Sequence, residues 1–193
     1  MTDHTRYLIE DCIIRGDYEF LRGLNLKKAD LSMLDFSNAD MRDLAMIETN
    51  FRGCKFVRSN LQAVKMVRVI LAEADLSFAN FTDAFMHSVR FSPFISYHPE
   101  LRNNGYKQTK CFRSQFINTN LSYSWFSGSD LRFANFFGAD LNEVIMNGTD
   151  LRGADLRVKN IIFATFNDSI YNIETIWPEG FNPVDAGAIF VAE

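Results

Sequence analysis

Residues 29–66 read ADLSM LDFSN ADMRD LAMIE TNFRG CKFVR SNLQA VKM, and the third letter of every block is large and apolar: Leu31, Phe36, Met41, Met46, Phe51, Phe56, Leu61 and Met66. The same register extends back to Leu21 and forward to Phe91, then resumes at Phe116 and runs to Phe166, giving 26 positions in phase. A helix repeats a face every 3.6 residues and a strand every 2, so a strict period of five fits neither. On a helix the apolar positions would spiral around the surface, and on a flat strand alternate members would fall on opposite faces. The period keeps one core only if the backbone turns once per five residues, each repeat forming one side of a coil with its central residue pointing at the axis. Such repeats bury their faces only by stacking, which is a solenoid.

Two flanking columns agree. Two residues before each centre the chain prefers a small side chain, as at Ala39, Cys54, Ala79, Ser114, Ser124, Ala134 and Ala154, which suits a tube with room for one large and one small group per side. One residue before the centre, Asp or Asn is common, as at Asp30, Asp40, Asn80, Asp130 and Asp155. These short polar side chains bond local backbone at tight turns.

The strings Ala29-Asp30-Leu31, Ala79-Asn80-Phe81, Ala134-Asn135-Phe136, Ala139-Asp140-Leu141 and Ala154-Asp155-Leu156 resemble the A(D/N)LXX unit of the pentapeptide-repeat proteins. The resemblance implies an all-β fold, a right-handed quadrilateral β-helix with four repeats per coil. It implies much less about function, because a fold does not fix one.

The expected organisation is a single domain over residues 1–193. Residues 1–20 form an N-terminal cap, 21–91 and 116–169 are repeats, 92–115 are an insert, and 170–193 are a C-terminal cap. Within the first segment, Arg6–Arg15 places Leu8, Cys12, Ile9 and Ile13 on one helical face, with Gly16 as a stop. The insert carries Pro93, Pro99, Asn103, Asn104 and Gly105, and Ser96 and Cys111 are poor centres, so an extruded loop is favoured over a degenerate coil. At the other end, Tyr171, Ile173, Ile176, Trp177 and Phe181 are enough apolar surface to cover the last coil, and Gly187–Val191 is the alternative place for a homodimer contact.

Composition narrows the functional classes. The formal net charge is −4, with acid concentrated at the two ends and a basic insert, so no sustained basic stripe for direct nucleic-acid binding is expected. Three dispersed cysteines, Cys12, Cys54 and Cys111, read as reduced thiols, and the first twenty residues hold neither a leader nor a membrane span; a cytoplasmic protein is expected. His4, His87 and His98 are widely spaced, no Cys/His cluster has zinc spacing, and no phosphate-binding or nucleophile motif is present, so no catalytic, cofactor or metal residues are assigned.

What remains is a non-enzymatic scaffold for a protein partner. The alternative implied by the resemblance is a DNA-mimic protection or inhibition of DNA gyrase or topoisomerase, for which the insert and Asn118–Tyr123 speak. Asp43, Asp83 and Glu143, counted into one outward column with Gly23, Ala63, Tyr123 and Phe163 between, do not make the acidic face that this alternative needs. Counting coils in twenties also aligns Phe85, Trp125 and Ile145 in the column where Asp or Asn is usual, an outward apolar stripe. These three, with Tyr97, Arg102 and Lys107 of the insert, are the expected partner contacts.

Overall fold

The computed structural model describes residues 3–92 and 108–192. Its architecture follows from where one pentapeptide sends its five backbone N–H groups. In residues 134–138, Ala134 N donates to Leu131 O (3.0 Å) and closes a β-turn. Asn135 N donates to Ser114 O of one neighbouring coil (2.9 Å), while Phe136 N and Gly138 N donate to Asp155 O and Arg157 O of the other (2.8 and 2.9 Å). The fifth, Phe137 N, donates to the Asn135 side-chain Oδ1 (2.9 Å). No donor is orphaned, which is the condition for burying a backbone.

The turn sets the pentapeptide length. Its third residue, two after nearly every described centre, has positive φ, as at Asn38 (62°), Arg58 (58°), Phe78 (61°) and Phe133 (57°). An L-residue there costs on the order of 1 kcal/mol, so the inter-coil bonds must offset it. Glycine at Gly53 and Gly138 avoids that cost and also makes room: a Cβ there would lie 2.5 Å from Met33 Sδ and 2.3 Å from Asn118 Oδ1 of the next coil.

The coils pair in parallel, twenty residues apart, in four columns such as Asp30↔Asn50, Asp35↔Lys55, Asp40↔Asn60 and, in the strands β1 (Ala45–Ile47), β2 (Lys65–Val67) and β3 (Phe85–His87), Ala45↔Lys65↔Phe85. The fold is therefore a repeat β-helix solenoid with twenty residues to the coil. Inside it lies one continuous core that includes every centre from Leu21 to Phe91 and from Cys111 to Phe166. The small column fills the remaining space, and most of its hydroxyls donate to main-chain carbonyls, as Thr49 does to Leu26 O, Ser114 to Leu76 O and Thr119 to Phe81 O; Ser129 is an exception, its buried hydroxyl having no partner among the described residues.

Helix α1 (Asp3–Arg15) precedes the coils. It buries Ile9 and Cys12 in the core cluster, leaves Leu8 half-buried, and extends Arg6 to Asp30 O and Ser32 O. At the other end, Phe166, Tyr171, Trp177 and Phe181 make edge and stacked ring contacts, and β5 (Ile189–Phe190) pairs in parallel with β4 (Ile170–Tyr171).

The interruption differs from the sequence expectation. Asp75 pairs with Lys110, Asn80 with Gln115, Phe85 with Asn120 and Arg90 with Trp125, so the columns advance by 35 residues across it. Cys111, read as a poor centre, is a fully buried one, stacked between the coils of Leu76 and Leu131. The departure from the register is thus the fifteen residues 93–107, which lie outside the described residues, rather than the whole of 92–115. Fifteen is three pentapeptides instead of four, and every later residue falls one side away from where counting in twenties puts it. Phe116 stacks between Phe81 and Phe136 in one ladder, and Phe91 meets Phe126 in another.

Two outcomes test this geometry. Phe116 stacks on Phe81 (5.1 Å) and Phe136 (4.9 Å) and lies edge-on to Phe91 and Phe126. Phe116→Ala should lower stability by about 3–5 kcal/mol in denaturant unfolding, with cooperativity retained. Thr109 Oγ1 donates to Phe91 O and to Leu71 O (3.2 Å), so the two ends of the interruption already meet. Removing residues 93–107 and joining Ser92 to Gln108 restores an unbroken pentapeptide register; the shortened chain should unfold in a single transition by circular dichroism.

Candidate interaction surface

Most carboxylates and carboxamides of the turn column are committed to the fold. Asp30, Asp35, Asp75 and Asp140 each accept the backbone N–H two residues on, and Asp130, Asp150 and Asp155 also clamp Arg132, Arg152 and Arg157 through Nε and Nη2. A bidentate guanidinium pair of this kind adds geometric definition to each corner. Among the described residues no His/Cys/Asp/Glu group is arranged to hold a metal ion. Burial pushes the Cys54 thiol up to about 12 and that of Cys111 upward as well, which makes both poor nucleophiles.

The expected apolar stripe does not line up. Phe85 pairs with Lys65 and Asn120, whereas Trp125 pairs with Arg90 and Ile145, so the three residues occupy two adjacent columns. The one-side shift after the interruption is the cause. Phe85 is 43% exposed and stacks on His87, whose ring meets Tyr123 edge-on at 5.2 Å. Trp125 and Ile145 are half-buried, with the Arg90 guanidinium 5.7 Å from the indole. Tyr97, Arg102 and Lys107 lie outside the described residues. The same shift separates Asp43 and Asp83, which share a column with Ala63 between them, from Glu143 in the next one.

Sequence reading missed a surface on the column of Lys55, Asp75, Lys110, Asp130 and Asp150. There Arg58, Phe78, Phe112, Arg113, Arg132 and Phe133 come together from four successive coils. No single pentapeptide in that set is unusual, and the row assembles only once the interruption is given its true length.

A family model described as pentapeptide repeats matches the chain in eight copies, over residues 19–43, 35–71, 54–92 and 114–153. Among curated proteins there is no significant match. Among solved structures the chain is similar to QnrB1, a plasmid-mediated fluoroquinolone resistance protein, at 18% identity over 86% of this chain and 81% of that one, TM-score 0.38. It is similar to a pentapeptide repeat protein of Nostoc at 19% identity, over 68% and 84% of the two chains, TM-score 0.36. A third similar structure, from the thylakoid lumen of Arabidopsis thaliana, is 23% identical over 66% of this chain and 71% of that one, TM-score 0.36.

The turn carboxylates make the surface acid-sensitive. Asp35 is held below the ordinary 3.8 chiefly by its hydrogen bond from Ser37, and Asp155 chiefly by its side-chain bonds from Arg157. A depressed carboxyl stabilises the folded state fully above its unfolded value, and that contribution is lost as pH falls through the folded value. The melting temperature should therefore drop on acidification below about pH 4. Asp155→Asn, which keeps a turn acceptor without a charge, should flatten that drop in a melting series from pH 6 to pH 2.

Proposed function

The chain belongs to the pentapeptide-repeat family, and from that membership we propose that it is a non-enzymatic protein-interaction scaffold, a cytoplasmic right-handed rod of one domain closed by α1 at one end and by residues 170–193 at the other. The observation that carries this reading is where the polar side chains go. Turn carboxylates accept backbone N–H groups, and most buried hydroxyls donate to backbone carbonyls, so the chemistry of the coil is largely spent on holding its shape. What such a rod offers is fixed outward rows on rigid sides, the property a docking platform needs. Phe85 with His87 and Tyr123, and Trp125 with Ile145, are two such apolar places, and β5 exposes Ile189 and Phe190 where a homodimer contact would form.

Protection of DNA gyrase is the second reading. The interruption of the register between Ser92 and Gln108 favours it; the separation of Asp43 and Asp83 from Glu143 speaks against an acidic duplex-like face.

A supercoiling assay separates the two. As a scaffold for another partner, the chain should leave gyrase activity unchanged with and without a quinolone. Concentration-dependent rescue from the quinolone, or inhibition of supercoiling by the chain alone, would replace the scaffold reading with the second one.

A further inference from the structure

On the column of Lys55, Asp75, Lys110, Asp130 and Asp150, the residues two positions after successive centres are Arg58, Phe78, Arg113 and Phe133, an alternation of cation and ring. All four hold positive φ, between 54° and 61°, so their side chains leave equivalent turns and rise in register along the rod. Phe112 joins them from the neighbouring position. Phe78, Phe112 and Phe133 form an edge-to-face chain, each link 5.7 Å between ring centres, and Phe133 lies over Gly153, where a Cβ would stand 2.5 Å from its Cδ1.

The arginines lie on these rings. Arg58 sits 5.5 Å from the Phe78 centroid, and Arg113 sits 5.3 Å from Phe112 and 5.5 Å from Phe133. Arg132, 5.6 Å from Phe112, is clamped by Asp130. Among the described residues neither Arg58 nor Arg113 has a carboxylate within ion-pair distance, in contrast to Arg132, Arg152 and Arg157. A guanidinium lying on a ring is oriented by it and keeps its N–H edge free for a planar anion. Phe78, between the two cations, and Phe133, beyond Arg113, remain 40% and 41% exposed.

We propose that this ladder is a docking surface for an acidic amphipathic helix of a protein partner, with Arg58 and Arg113 each receiving a carboxylate and Phe78 and Phe133 receiving apolar side chains. The inference rests on the scaffold reading. Spacing selects the helix. Rows of the coil rise by about 4.8 Å, the spacing of adjacent strands, and turns of a helix by about 5.4 Å. A helix laid along the rod with Glu at positions i and i+7, and Leu at i+4 and i+11, therefore meets cation, ring, cation and ring with a drift of about 2 Å over four rows. Charge and stacking select a peptide over single-stranded nucleic acid, since bases need open ring faces to stack on, and these faces carry guanidinium groups.

The test uses the full chain and a fluorescein-labelled helical peptide with that Glu and Leu spacing, read by anisotropy, with oligothymidylate as a competitor. Wild type should bind the peptide, more weakly as salt rises, and Arg58→Gln with Arg113→Gln should weaken binding about two- to thirtyfold, the size expected of two exposed guanidinium–carboxylate pairs, at an unchanged melting temperature. If that double variant is unstable, Arg58→Glu with Arg113→Glu should bind a peptide carrying Lys in place of Glu. No anisotropy change with wild type in excess, equal affinity for the Gln double variant, tighter binding of oligothymidylate, or self-association through these arginines would each overturn the proposal. Loss of this site while a gyrase-independent protein partner still binds would remove the ladder and leave the scaffold reading intact.

Discussion

Everything in this molecule depends on a repeated backbone exchange: one N–H of each pentapeptide closes a turn, one reaches back a coil, two reach forward a coil, and in most repeats one is taken by an Asp or Asn side chain. Period five is the length at which a turn, a one-residue bridge and an inward side chain can coexist with no orphaned donor. The strained left-handed residue in each turn is tolerable only because both flanking coils hold it. Stability is therefore a property of stacked coils, which is why repeats of this kind need several neighbours.

The core follows from the same constraint. A coil side too short for a regular strand places one large and one small side chain inward, and successive coils bring the large ones into direct register. Where these are Phe, rings of one column stack nearly parallel, as at Phe81, Phe116 and Phe136, and meet Phe91 and Phe126 edge-on across the tube. Offset stacking and edge-to-face contact are the two favourable arrangements of the ring quadrupole, so the tube uses both, one along its axis and one across it.

Function on such a rod is a matter of rows. A single exposed Phe or Arg on a surface carries little information, but the same residue types recurring on one side at every coil create a pattern with a fixed pitch. The ladder from Arg58 to Phe133 is such a pattern, and the cluster of Phe85, His87 and Tyr123 is a smaller one. Among the described residues, both use side chains that make no hydrogen bond within the coil, unlike the Asp and Asn of the turn column and most Ser and Thr of the small column.

The sequence alone determined the solenoid, the inward and outward positions and the turn chemistry, because each depends on contacts within five residues or on a period visible in one dimension. The helix before the first coil was also legible, in the apolar face of Leu8, Cys12, Ile9 and Ile13, although the structure buries Ile9 and Cys12 and leaves Leu8 half-buried. The lateral order was not. Which row faces which depends on how many residues the chain spends between Ser92 and Gln108 outside the register, and a multiple of five leaves the local pattern unchanged whether it is three pentapeptides or four. Cys111 looked too small for a centre, yet it fills one because Leu76 and Leu131 of the adjoining coils flank it. Tertiary pairing fixed the shift by one side, separated Phe85 from Trp125 and Ile145, and assembled Arg58, Phe78, Arg113 and Phe133 from coils whose separation in the chain is not constant.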